Sequence, residues 1–240
     1  MTRNSGNRQG GSNRKVNSKK PRSRRSTVLI NVLLIAGLVV VAIFVIVAIQ
    51  SQRSTPAAET AAPSEIIRDD THILDDPAEP KAELVEFLDF ECEACGAFKE
   101  HVEAIRQEFD GQITFAIRYF PLPSHGNSMN AAIAAEAAAQ QDQFEAMYNK
   151  LFDTQGQWGE KGGESQASLF RTFAEELGLD MEAYDTAVAD PATAQRVQSD
   201  FEDGRALGIE STPTFFLNGE AVTLTAFEDL RAAVAAAVSQ

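Results

Sequence analysis

The sequence predicts an α/β domain whose small sheet is interrupted by a long helical insertion, preceded by a single transmembrane helix. Three observations carry this prediction. Two short apolar runs, Leu84–Phe90 (LVEFLDF) and Ile113–Phe120 (ITFAIRYF), flank one helical stripe, so the domain opens as strand, helix, strand. A series of helical stripes follows, and the chain then closes as strand, tight turn, strand, helix. Ahead of the domain lies Val28–Ile49, an apolar stretch without a charged residue.

The N-terminal elements come first. Residues 1–27 are rich in Arg, Lys, Asn, Ser and Gly and cannot bury enough apolar surface to fold, so a basic disordered tail is expected there. As a helix, residues 28–49 would span roughly 33 Å, enough to cross a bilayer core. Nine Lys and Arg lie between Arg3 and Arg25, whereas the first acidic residue is Glu59. The positive-inside rule therefore puts the N-terminus in the cytoplasm and the rest of the chain outside, on a single-pass anchor in the cell membrane. No small-x-small cleavage site follows the span, which favours a retained anchor over a cleaved signal peptide. Residues 50–65, rich in Ser, Thr, Ala and Pro, read as a flexible tether, and residues 66–240 as the folded domain. From Ser51 onward 12 cations face 35 acids, a net charge of −23, which argues against nucleic-acid binding by the folded part.

Within the domain, the nearly continuous apolar character of Leu84–Phe90 suits a central strand buried on both faces. Cys95, Phe98, Val102, Ile105 and Phe109 recur at spacings of three and four, the pattern of one helix face, and Asp110-Gly111 ends that helix. Ile113–Phe120 returns as a second strand, parallel to the first by the usual crossover. The helical insertion covers about residues 124–206. It holds the Ala-rich Met129–Gln140 and stripes at Phe144–Phe152, Leu169–Leu177, Met181–Val188 and Val197–Phe201. Gln155–Gly163, with its glycines and Trp158, is expected to be a surface loop. Thr214–Leu217 is a short strand and Asn218-Gly219 a strong hairpin signal. Ala221–Leu224 pairs back, and Phe227, Leu230, Val234 and Val238 line a last helix.

The chemistry centres on the chain's two cysteines, Cys92 and Cys95, a C-x-x-C at a strand-to-helix junction. Two cysteines cannot fill a four-ligand zinc site, and no histidine pair has ligand spacing, so neither a metal nor a cofactor is expected. His72, His101 and His125 are given no role; His101 falls off the buried stripe and faces solvent, and His125 could cap the following helix. At the helix N-terminus, unpaired N–H groups and the positive dipole end favour a thiolate on Cys92. Cys92 is therefore the candidate nucleophile, and Cys95, one turn deeper, the candidate resolving thiol. A static disulfide is the alternative. Glu86, on the preceding strand, is a candidate proton relay for Cys95 if it faces the interior, and an ordinary solvated acid if it does not. Thr212-Pro213-Thr214 puts a proline at the start of a strand, which suggests a special turn with a cis peptide.

These residues resemble a known family. Val85–Cys95 (VEFLDFECEAC) is similar to the active-site strand and helix start of DsbA-like proteins of the thioredoxin superfamily. Arg118–Leu122 with His125, the Ala-rich helix and the Phe144…Leu151-Phe152…Gln155…Trp158 pattern resemble that family's helical insertion. Ser211–Phe216 with Asn218-Gly219 resembles its cis-proline loop and hairpin. The likeness covers about residues 66–240 and is closest to the membrane-anchored proteins of Gram-positive bacteria, especially actinobacteria. It implies a thioredoxin-like fold, Cys92 as nucleophile, Cys95 as resolving thiol, and Glu86 as the buried acid. It further implies Pro213 as the cis-proline facing the disulfide and Thr212 as a backbone hydrogen-bonding site for extended substrates.

The resemblance also implies an extracytoplasmic thiol:disulfide oxidoreductase. It would pass its disulfide to secreted or membrane proteins through mixed disulfides. A quinone-linked membrane partner of the DsbB or vitamin-K-epoxide-reductase type would reoxidise it. Two alternatives stand beside this: a reductase or isomerase kept reduced by a membrane electron donor, and a non-catalytic binding module. One departure matters. Where strongly oxidising relatives often carry Pro-His between the cysteines, this chain has Glu93-Ala94, with Asp89 and Glu91 just upstream. A weaker oxidant than DsbA, at about −120 mV, is therefore expected.

Overall fold

The structure is a computed structural model that describes residues 66–159 and 164–240. The predicted tail, span and tether at residues 1–65 lie outside the described residues. Among the described residues, no helix is long and apolar enough to cross a membrane.

A five-stranded mixed sheet forms the centre, in the order β1-β3-β2-β4-β5. Its middle strand, β2 (Ala82–Leu88), pairs parallel to β3 (Ile113–Tyr119) and antiparallel to β4 (Thr214–Leu217). Every residue of β3 is buried, as are all of β2 except Glu83. That is why both strands appear in the sequence as apolar runs rather than as alternations. The pleat still sorts their side chains to two faces. Leu84 and Leu88 join the larger core, while Val85 and Phe87 pack on the opposite side with Ala116, Phe120, Ile209 and Phe216.

The crossover from β2 to β3 is α1 (Glu93–Glu108), which buries Cys95, Val102 and Ile105. The predicted strand–helix–strand unit is present as a parallel pair. Asn218 and Gly219 adopt φ of 50° and 84°, the left-handed pair of a type I′ hairpin, between β4 and β5 (Glu220–Ala221). The predicted partner strand is shorter than expected: after Val222 donates to the Phe215 carbonyl, the chain leaves the ladder, and Val222 and Leu224 pack against the core instead. The closing helix α8 (Phe227–Val238) buries Leu230, Val234 and Val238, but Phe227 is 37% exposed.

The insertion consists of α2 (Ser128–Ala139), α3 (Phe144–Asp153), the short α4 (Gln155–Trp158), α5 (Ala167–Glu176), α6 (Met181–Ala189) and α7 (Pro191–Ala206). Helix α2 is buried nearly all round because its alanines let α3, α5, α6 and α7 approach closely. Helix α7 lies against β3, where Asp200, fully buried, receives the Arg118 guanidinium (Nε to Oδ1, 2.7 Å) and the Tyr119 amide (3.1 Å). Gly204 permits this approach: a Cβ there would stand 2.6 Å from the Phe120 ring.

Three expectations change. The edge strand β1 (His72–Asp75), antiparallel to β3, was not foreseen. Four residues are too few to establish a period, and the strand forms because it covers the open edge of β3. The expected surface loop at 155–163 begins instead as α4, with Trp158 fully buried, its ring 4.9 Å from Phe170 and its Nε1 donating to the Leu151 carbonyl. Loop-forming residues around a large aromatic had hidden an anchor. Val188, placed on a buried stripe, is 38% exposed, since the short α6 turns Tyr184 and Ala187 inward.

Candidate redox-active site

Cys92 caps the N-terminus of α1 with extended backbone angles (φ −68°, ψ 120°), and its carbonyl accepts the first intrahelical bond from Gly96 at 3.1 Å. Cys95 follows within the first turn, on the helix face directed at the core. Cys92 is 8% exposed and Cys95 1%; both are free thiols. The helix thus leaves one residue slightly accessible and draws the other fully inward.

The same placement separates their acidities. The Cys95 thiol beside it pulls the Cys92 pKa down to about 5, against the opposing effect of burial. Hydrogen bonding from the Cys95 and Ala94 amides assists. Cys95 moves the other way: burial pushes its thiol well up, and the neighbouring Cys92 and Glu86 charges add to this. The Asp89 amide, 3.5 Å from its sulfur, opposes this and favours the thiolate.

The Thr212–Pro213 peptide is cis, and the Thr212 carbonyl accepts from the Cys92 thiol at 3.4 Å. Residues 120 apart in sequence therefore meet at the reactive sulfur. Thr212 Oγ1 is buried with no hydrogen-bond partner among the described residues. Between α1 and the start of α8, Phe98, Leu224, Thr225, Ala226 and Phe227 line an apolar groove of about 210 Å³. The Phe98 ring also lies 5.4 Å from Phe215, on the strand that follows Pro213.

Glu86 faces the interior, 2% exposed, on the same side of β2 as Leu84 and Leu88. Burial, then the Glu103 carboxylate and Cys92, raise its pKa to about 8, and its Oε2 has no hydrogen-bond partner among the described residues. It is a buried acid electrostatically coupled to both cysteines.

Asp89 and Glu91, just upstream of the cysteine pair, are both buried. Both turn into the loop after β3. Asp89 accepts from the Glu91 and Leu122 amides (both 2.8 Å) and pairs with His125 Nδ1 at 2.7 Å; Glu91 accepts from the Asn127 amide at 2.5 Å. His125 therefore holds Asp89 rather than capping α2. Gln155 is a site residue that sequence reasoning placed in a loop. Its Nε2 donates to the Phe90 and Cys92 carbonyls, both at 2.8 Å, and so fixes the turn before α1. Neither residue carries a periodic signal; only their place in the family pattern pointed to them.

Comparison with known proteins agrees with this geometry. A family described as Thioredoxin matches residues 75–236. The chain is similar to the Na(+)/H(+) antiporter NhaA 1 of Mycobacterium sp. (strain KMS), 36% identical over 154 residues, which are 62% of this chain and 24% of that protein. The chain thus spans about a quarter of the length of the curated relatives it matches. Among solved structures it is similar to a thioredoxin-like oxidoreductase from Silicibacter pomeroyi DSS-3, with 26% identity and a TM-score of 0.61 over 74% of this chain and 97% of that one. It shares the fold of the oxidoreductase DsbA from Xylella fastidiosa, with 20% identity and a TM-score of 0.55 over 69% and 90% of the two chains. The chain belongs to the thioredoxin family, and its Cys92–Cys95 pair is a C-x-x-C of two free thiols at a helix N-terminus.

Proposed function

We propose that this protein is a membrane-anchored, extracytoplasmic dithiol oxidase that donates the Cys92–Cys95 disulfide to secreted or membrane proteins. The carrying observation is the opposed shift of the two thiols, Cys92 down to about 5 and Cys95 up. A thiolate stabilised at Cys92 stabilises the reduced form, so the disulfide is readily given away. The same low pKa makes Cys92 a good leaving group once a mixed disulfide exists.

The exchange runs as follows. A client thiolate attacks the Cys92 sulfur, the bond between Cys92 and Cys95 breaks, and Cys95 leaves with the electron pair. Glu86, protonated near neutral pH because of its raised pKa, delivers a proton to Cys95. A second client thiolate then attacks the client sulfur of the mixed disulfide and releases Cys92 as thiolate. The client loses two electrons and two protons; the cysteine pair gains the electrons. Thr212 and cis-Pro213 hold the client backbone alongside Cys92, and the groove at Phe98 and Phe227 takes an apolar client side chain. A quinone-linked membrane oxidant of the DsbB or vitamin-K-epoxide-reductase type restores the disulfide. The span at residues 28–49 and its basic flank support the anchor and the outward placement.

The test is a Cys95→Ala variant expressed in the native host. Mixed disulfides between Cys92 and extracytoplasmic clients should accumulate, and the wild-type pair should be mainly oxidised in the cell. A wild-type pair held mainly reduced would overturn the oxidase direction. Absence of any trapped client would overturn the exchange chemistry.

A further inference from the structure

The loop between β3 and α2 contributes a histidine for which the exchange steps above have no use. His125 Nδ1 lies 2.7 Å from Asp89 Oδ2, and its side chain is 23% exposed. Asp89 is 1% exposed and sits in the turn that presents both sulfurs. Its amide points at Cys95 Sγ (3.5 Å), and its carbonyl accepts from the Cys92 amide (3.1 Å). The Leu122 amide, from the histidine's own loop, donates to the same carboxylate oxygen at 2.8 Å. The groups around the imidazole are anionic: Asp89 and Glu91 from the turn after β2, and Cys92 from the start of α1. A buried carboxylate this close to the reactive turn opposes a second negative charge unless a cation neutralises it.

We propose that His125, held by Asp89, is a positioning residue for disulfide exchange. In its protonated form it neutralises the charge behind Cys92 and supplies the cation that the Glu93-Ala94 dipeptide lacks. Burial works against the charged imidazole, but the Asp89 bond and the surrounding anions override it and raise its pKa, so the cation persists further into the neutral range. While His125 is charged, the Cys92 thiolate is stabilised and the disulfide is the stronger oxidant. As pH rises and the proton leaves, Asp89 stands uncompensated and this support is withdrawn.

The inference rests on the dithiol reading above. His125→Gln tests it, because the amide can still donate to Asp89 but carries no charge. Alkylation of Cys92 by iodoacetamide should show its midpoint moved up by about half to one pH unit, with rates at pH 5 about two- to fivefold slower and rates above pH 8 unchanged. Exchange equilibrium against glutathione at pH 6 should shift about three- to fivefold toward the less oxidising side. A profile and equilibrium that coincide with those of the wild type would overturn the inference. Reciprocity gives a second measurement that does not depend on a His125 variant. The His125 titration, followed by NMR, should fall at higher pH in the reduced protein than in Cys92→Ser. Coincident titrations would overturn the coupling. A wild-type protein that never exchanges would instead sink the dithiol reading itself, so the two failures are distinct.

Discussion

Cys92 and Cys95 are three residues apart and chemically identical, yet their thiols shift in opposite directions. The difference is positional: one sulfur sits where amide N–H groups converge, the other where desolvation is nearly complete. A pH signature follows for the reduced protein. The Cys92 pKa is depressed, so its contribution to the stability of the reduced form is fully present above the unfolded-state value near 9 and is lost as pH falls through about 5. The melting temperature of reduced minus oxidised protein should therefore be positive at pH 8 and shrink steadily toward pH 5. A gap independent of pH would contradict the thiolate. Glu86 behaves oppositely. Its pKa is raised to about 8, so the folded state loses stability as pH rises from about 4.5 through 8. Glu86→Gln should abolish that loss, leaving denaturant midpoints at pH 9 above those of the wild type. It should also slow proton delivery to Cys95, so that mixed disulfides with a model dithiol peptide persist longer at neutral pH. Stability that falls with pH equally in both proteins would remove Glu86 from this role.

At the scale of elements, the site is assembled by helix ends and loops that the sheet brings together. Helix α1 presents Cys92, the turn before β4 presents Thr212 and Pro213, and Gln155 of α4 pins the carbonyls of Phe90 and Cys92 from the insertion side. Helix α7 is fastened to β3 by charge as well as by packing. Arg118, fully buried, lies over the Phe87 ring (5.1 Å) and pairs with Asp200 and Asp203; Arg196 also reaches Asp200 at 2.7 Å. Removing one partner of a buried pair leaves an uncompensated charge. Asp200→Ala should therefore cost about 3–5 kcal/mol in urea unfolding, far more than breaking the exposed Arg171–Asp185 pair. Equal costs would show that Asp200 does not bear the Arg118 charge. The strand β3 was legible as an apolar run, but nothing in ITFAIRY announces that its arginine is dry.

For the described domain as a whole, the insertion and the sheet share one hydrophobic core. Leu84 and Leu88 of β2 belong to the same buried cluster as Met147, Trp158 and Phe170. Trp158, the chain's single tryptophan, sits wholly inside the insertion. Its fluorescence should therefore change in the same denaturant transition as the far-ultraviolet circular dichroism of the whole domain. A tryptophan transition at distinctly lower denaturant would mean that the insertion unfolds on its own.

The sequence by itself determined the strand–helix–strand unit, the C-x-x-C at a helix start, the Asn218-Gly219 hairpin and the apolar length of residues 28–49. Each of these is a local property, written in periodicity, spacing or hydrophobic length within some twenty residues. Only the tertiary structure decided that β1 closes the sheet edge, that Trp158 is an anchor, and that Asp89 is partnered by His125, 36 residues away, and Cys92 by Gln155, 63 residues away. Such contacts arise because the chain must satisfy buried polar groups with whatever donor the packed helices bring near. That choice is made by the fold in three dimensions and leaves no pattern along the chain.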